Sequence, residues 1–367
     1  MPAAWPDVSE SKMIDGAFLE DPLVTQAWAY VQSVVPKSVL DVPPSQYVSG
    51  STTKYGADAV ANCYWPNNLC TRSTDAAYYH ADISTCPGDN VWGITYDDGP
   101  INNSGTDDTS ALLTSLKDAN VQATFFCVGS NVVQFPADVK RALDAGHEIA
   151  SHTWTHHPLT SLTNLQVIAE IKYTEAIIYN ATGIVPAMIR PPYGDVDDRV
   201  RAIMWALGYR NVLWTTTPDR DTHDADGSEG ETASQEIVDL VKNQFFTPQP
   251  GFISLEHDIS TFTTSVAIKI LQAIQAAKAS SMLSIDVTAV GKCTNKPVYQ
   301  NAAPLPSPAA PTTTQASSGP TPPATGGKTI NIPDAKAATS SAVGGYGLSV
   351  VLVTVCGVVA AVLGYVN

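Results

Sequence analysis

From residue 91 to residue 287 the chain alternates short apolar, β-branched runs with amphipathic stretches of helical period, and this alternation admits few folds. The pattern predicts strands at 91–96, 122–128, 147–150, 187–190, 211–215, 252–255 and 282–287. Between them it predicts helices at 108–118, 136–145, 164–179, 198–207, 234–243 and 264–278. Thr163 stands three residues before Gln166 in capping-box spacing, and Gly183 closes that helix. Repeated βα units with short connections imply parallel strands and right-handed crossovers, hence an α/β chain. About seven strands favour a barrel, closed or incomplete, over an open sheet.

Such a barrel carries its chemistry just past the strand ends, on one face. Asp97 and Asp98 follow the first strand, before the Gly99-Pro100 turn. Ser151 to His157 follow the third, Arg190-Pro191-Pro192-Tyr193-Gly194 the fourth, Asp219 and Asp221 the fifth, and Glu256-His257-Asp258 the sixth. His152 and His156 are four apart, a separation that a helical turn or tight loop brings to one side. With a carboxylate from a neighbouring strand end they make a two-His, one-Asp site that leaves positions open for water and substrate. Asp98 is the expected third ligand, which leaves Asp97 to take a proton from water. Arg190 is expected to fix Asp97 through a bidentate pair. His257 is placed to protonate a leaving group, with Asp221 holding its ring and Asp219 and Asp224 as rivals for that role. An isolated Asp-Asp-Gly-Pro reads equally well as a solvated turn; the accompanying groups give it its meaning.

Lys and Arg number 20 against 35 Asp and Glu, a net charge of −15, which argues against nucleic acid as a partner. Of six cysteines, Cys356 lies in an apolar tail and Cys127 follows two phenylalanines in an apolar strand as a buried thiol. The remaining four pair as Cys63 with Cys70 and Cys86 with Cys293, the second bridge stapling the beginning of the domain to its end.

Four regions follow from these signals. Residues 1–87 form an aromatic, loop-rich extension packed on the barrel, with a helix inside 17–35 ended by Pro36. Residues 88–293 are the catalytic domain. Residues 299–346 are a Pro/Ser/Thr-rich, disordered stalk holding the attachment region of a GPI anchor, and residues 347–367 are its hydrophobic signal. A tail-anchored helix is the rival reading of the same residues. An anchor of this kind requires secretion, yet Met1 to Pro6 show neither basic start nor apolar core, so a signal peptide missing from this version of the chain is expected. The sequons at Asn102 and Asn180 are compatible with secretion.

Thr95 to Pro100, Ser151 to His157, Arg190 to Gly194 and Ile253 to Asp258 resemble the motifs of the NodB-type polysaccharide deacetylases of carbohydrate esterase family 4, which include fungal GPI-anchored chitin deacetylases. The resemblance covers about residues 91–290. It implies a distorted (β/α)7 barrel, Asp97 as base, Asp98, His152 and His156 as ligands of one zinc or cobalt ion, Arg190 orienting the base, and His257 as acid. It further implies that the Tyr193 backbone N–H serves the oxyanion and that Leu255 lines the acetyl-methyl pocket, with Trp214 among the residues lining the substrate groove. One segment departs from the family, which usually has an Asp-Trp pair after the fifth strand; here Asp221 is followed by Thr222. A missing aromatic face predicts weaker sugar stacking, so crystalline chitin is expected to be a poorer substrate than soluble or partly deacetylated chains. The implied partners are a chitin or chitosan polymer and, through the anchor, the plasma membrane at the cell wall, with a monomer expected. An esterase acting on O-acetyl groups of xylan and a non-catalytic wall-binding protein are the alternatives.

Overall fold

A computed structural model describes residues 1–9, 12–102 and 107–301. The expected stalk, anchor region and apolar tail lie outside the described residues, among which no helix is long and apolar enough to cross a membrane.

The extension carries an antiparallel hairpin, β1 (Gln46–Ser49) and β2 (Thr52–Lys54). The remaining strands are parallel: β3 (Val91–Gly93), β4 (Thr95–Asp98), β5 (Thr124–Cys127), β6 (Glu148–Ser151), β7 (Met188–Ile189), β8 (Arg210–Asn211), β9 (Phe252–Ile253) and β10 (Asp286–Thr288). Only Ile94 separates β3 from β4, so the two are one run whose first half pairs with β10 and β9 and whose second half pairs with β5. Hydrogen bonding therefore divides the strands into a sheet of order β10-β3-β9 and one of order β4-β5-β6-β7-β8. The strand expected over 211–215 is cut to two residues because the following backbone bonds elsewhere, Leu213 N to Ile83 O and Thr215 N to Ile253 O. That second bond ties the far side of the five-stranded sheet to β9.

Helices cover the strands. The capping box of helix Asn164–Thr182 is formed by Thr163 and Gln166, and Gly183 leaves it at φ 77°, in the left-handed region glycine tolerates. A short helix, Gly129–Gln134, stands where the pattern read only a connection. Against the outer face of Asn164–Thr182 lies the extension: helix Pro22–Val34 buries Val24 and Val31, and Trp5 stacks on Trp154 at 5.8 Å. Each such buried apolar side chain contributes roughly 1.5–3 kcal/mol.

Disulfides join Cys63 to Cys70 and Cys86 to Cys293, and Cys127 is a buried free thiol. Cys86–Cys293 closes 207 residues of chain, so its loss releases a large unfolded-state entropy. Replacing both of these cysteines by serine should lower unfolding stability in urea by about 2–5 kcal/mol, without altering metal binding at the site described next.

Candidate functional site

The site opens beyond the C-terminal ends of β4, β6 and β7. Consecutive strand residues normally face opposite ways, yet Asp97 and Asp98 share one pocket because Asp98 turns out of the strand at φ 79°. Both are buried. Asn131 Nδ2 donates to the Asp98 carbonyl at 2.9 Å and holds the turn.

His152 and His156 reach Asp98 from a loop rather than a helix, with Thr153 at φ 68° and His156 at φ 57°. Glu170, wholly buried in the helix above, anchors this loop by accepting from Trp154 N at 2.7 Å, Thr155 N at 2.8 Å and Thr155 Oγ1 at 2.6 Å. The Nε2 atoms of His152 and His156 lie 3.2 and 3.0 Å from Asp98 Oδ1. His152 Nδ1 is 2.7 Å from the Arg190 carbonyl oxygen, which can only accept, so Nδ1 carries a proton and Nε2 is the atom turned to Asp98. Asp98 Oδ1 is buried without a hydrogen-bond partner. Among the described residues two groups have ligand atoms close enough to hold a cation: the buried Asp98 and His152 with His156, whose two imidazoles and one carboxylate suit a divalent metal, and the more exposed Asp221, His223 and Asp226.

Asp97 is paired separately. Arg190, fully buried, donates from Nη1 to Asp97 Oδ1 at 2.7 Å and to Thr95 Oγ1 at 2.8 Å, and from Nη2 to the Leu213 carbonyl at 3.2 Å. The expected bidentate pair is thus a single bond, because the guanidinium divides its donors among three acceptors. Its face covers the Phe126 ring at 4.2 Å.

His257 stands on the next strand run, joined to Asp97 by a parallel bridge. Its partner is Asp224, not Asp221: Asp224 Oδ1 is 2.8 Å from His257 Nδ1, and Asp224 Oδ2 accepts the His257 backbone N–H at 2.9 Å. Asp221 is turned away because its backbone bridges to Leu255 while its carboxylate accepts from His223 N at 2.8 Å. Burial pushes the His257 pKa down, but the charge and hydrogen bond of Asp224, with Asp98 and Asp97 beyond, raise it to about 10. Thr222 is buried, its hydroxyl within reach of Asp224 Oδ1 and of the Leu255 carbonyl, each 3.1 Å away, and able to donate its one proton to either. The residue after the carboxylate that serves His257 is Ala225, so the aromatic is missing here too.

The other residues singled out by sequence surround these groups. Tyr193, 38% exposed and at φ 59°, sets its ring edge-on to His156 at 4.7 Å. Trp214 lies 6.0 Å from the Arg190 guanidinium, and Leu255 is buried two residues before His257.

Residues 84–212 match the family model for polysaccharide deacetylase. The chain carries a polysaccharide deacetylase domain. It is 34% identical over 278 residues to chitin deacetylase 1 of Cryptococcus neoformans var. grubii, covering 72% of this chain and 57% of that protein. It is 38% identical over 230 residues to a chitin deacetylase of Amylomyces rouxii, covering 61% and 52%. The chain thus spans about half the length of the curated relatives it matches. The solved chitin deacetylase of Colletotrichum lindemuthianum superposes with a TM-score of 0.52 at 26% identity, over 61% of this chain and 96% of that one.

Sequence reasoning passed over Glu170, although a lone acid inside Val167-Ile168-Ala169-Glu170-Ile171 is a signal of a buried, paired carboxylate. In the deacetylase domain, Asp224→Asn removes the negative charge that favours the imidazolium, so the His257 titration midpoint, read by NMR of the ring, should fall by about one pH unit or more. Asp221→Asn should move it less.

Proposed function

We propose that the protein hydrolyses N-acetyl groups of chitin or partly acetylated chitosan, releasing acetate and leaving glucosamine units. The observation that carries this reading is the pairing of two differently held groups beside the Asp98, His152 and His156 cluster: Asp97, whose carboxylate accepts from the buried Arg190, and His257, whose ring is bonded to Asp224.

A zinc or cobalt ion held by Asp98, His152 and His156 would supply Lewis acidity toward the substrate carbonyl and water. Asp97 accepts the proton of the attacking water, and the Arg190 bond at 2.7 Å fixes the oxygen that does not face it. As the carbonyl carbon gains its new C–O bond, the Tyr193 backbone N–H donates to the developing oxyanion. His257 then gives its proton to the amide nitrogen as the C–N bond breaks, and Asp224 offsets the charge that His257 carries until that moment. Leu255 offers an apolar surface for the acetyl methyl group and Trp214 a ring edge for the sugar. All these groups come from one chain, which suits a monomer. The Pro/Ser/Thr-rich segment and the apolar tail support attachment by a GPI anchor at the cell surface, next to a wall polymer.

Acetate release from chitin oligomers, partly acetylated chitosan and acetyl-xylan, with chelator and with zinc or cobalt returned, tests the reading. Release from the amino-sugar substrates should stop with chelator and return with metal; release from xylan alone would replace the substrate with an O-acetyl polymer, and none from any would leave a binding protein. Asp97→Asn should lower kcat by about 10²–10⁴-fold while the variant still binds its metal; a near-wild-type rate would remove Asp97 from its role.

A further inference from the structure

Residues 53–72 of the extension grip the segment that follows Tyr193. Tyr64 Oη donates to Asp195 Oδ2 at 3.0 Å, and Tyr55, stacked on Tyr64 at 4.0 Å, donates to Asp197 Oδ2 at 2.8 Å. Backbone bonds run in both directions, Trp65 N to Val196 O and Asp198 N to Asn62 O. Arg201 reaches back with Nη1 to the Cys63 carbonyl at 2.7 Å and Nη2 to the Cys70 carbonyl at 3.1 Å, the two ends of the disulfide loop.

Trp65 sits at the point where this grip meets the site. The six-membered ring of its indole lies so close to Gly194 that a Cβ there would clash with its Cζ3 and Cε3 atoms. Another part of the ring meets Trp214 edge-on at 4.8 Å and 63°. Gly194 and Tyr193 are consecutive left-handed residues, at φ 65° and 59°, a backbone that persists only where its surroundings impose it. Trp65 itself is 6% exposed and cannot touch a polymer.

We propose that Trp65, presented by the Cys63–Cys70 loop, is a positioning residue for the reaction: it holds the Tyr193 N–H where the oxyanion forms and Trp214 at the edge of the substrate groove. This rests on the amide-hydrolysis reading and gives the extension a part in it, since the groups that hold this corner of the site come from residues 53–72 and not from the strands.

The test compares wild type with Trp65→Phe, which stays apolar and aromatic but withdraws the outer ring from Gly194. Metal content and Tm are measured first, then kcat and KM for a chitin oligomer, then deuterium exchange of the peptide spanning 190–197. The expected result is one metal per chain, a Tm near wild type, kcat lower by about tenfold or more, a smaller change in KM, and faster exchange in 190–197 with unchanged exchange around Asp98 and His152. Wild-type kcat, unaltered exchange in 190–197, or an activity loss that tracks metal loss would each overturn the positioning role. The exchange arm needs no turnover, so a wild type that releases no acetate defeats the hydrolysis reading separately. Should Trp65→Phe unfold, Trp65→Tyr is put through the same series, and unaltered exchange in it overturns the proposal equally.

Discussion

Two adjacent carboxylates buried at one strand end are the constraint to which the rest of this molecule answers. Taking a single carboxylate out of water is costly, and placing a second beside it adds repulsion. The chain compensates the two by different means. Asp97 receives a buried guanidinium; Asp98 receives two imidazoles, a grouping of ligand atoms that could hold a cation. That division makes neighbours in sequence unlike in chemistry. One carboxylate is fixed by a single guanidinium donor, while the other sits among imidazoles that could hold a cation.

Holding this arrangement requires backbone that most residues avoid. Asp98, Thr153, His156 and Tyr193 all have positive φ, between 57° and 79°, and all border the same pocket. Each is held by polar groups or rings from another element: Asn131 on the Asp98 carbonyl, Glu170 on the loop of Thr153 and His156, and Trp65 beside Gly194. The sharp turns are therefore consequences of tertiary bonding, and a segment cut out of the chain would not keep them.

That distinction explains what could be read in advance. The helix over 164–182 announced itself through Thr163, Gln166 and Gly183, because caps are local chemistry. Cys86 and Cys293 were legible because few cysteines were available to pair, and the clustering of Asp98, His152 and His156 because histidines at i and i+4 beside a strand-end Asp converge readily. The partner of His257 was not. Asp219, Asp221 and Asp224 are equivalent in composition, and the choice fell to Asp224 only because the Asp221 backbone is engaged with Leu255. The grip of the extension was hidden for the same reason: Tyr55 and Tyr64 follow no period, and their acceptors, Asp197 and Asp195, lie 142 and 131 residues away.

In the proposed reaction Asp97 and His257 have to keep their separation although no side-chain bond joins them. The backbone does this: Asp97 N donates to the Glu256 carbonyl at 2.9 Å, and Asp258 N donates to the Asp97 carbonyl at 3.1 Å, so His257 is clasped between two bonds to the base's own residue. The flanking acids differ from ordinary carboxylates: burial raises the pKa of Glu256 and of Asp258 to about 8, with neighbouring carboxylates adding to the effect, so both ionise less readily beside the His257–Asp224 pair. Of the three ionisable side chains in a row here, two sit where burial disfavours their charge, while the third, His257, has the Asp224 carboxylate to favour its own.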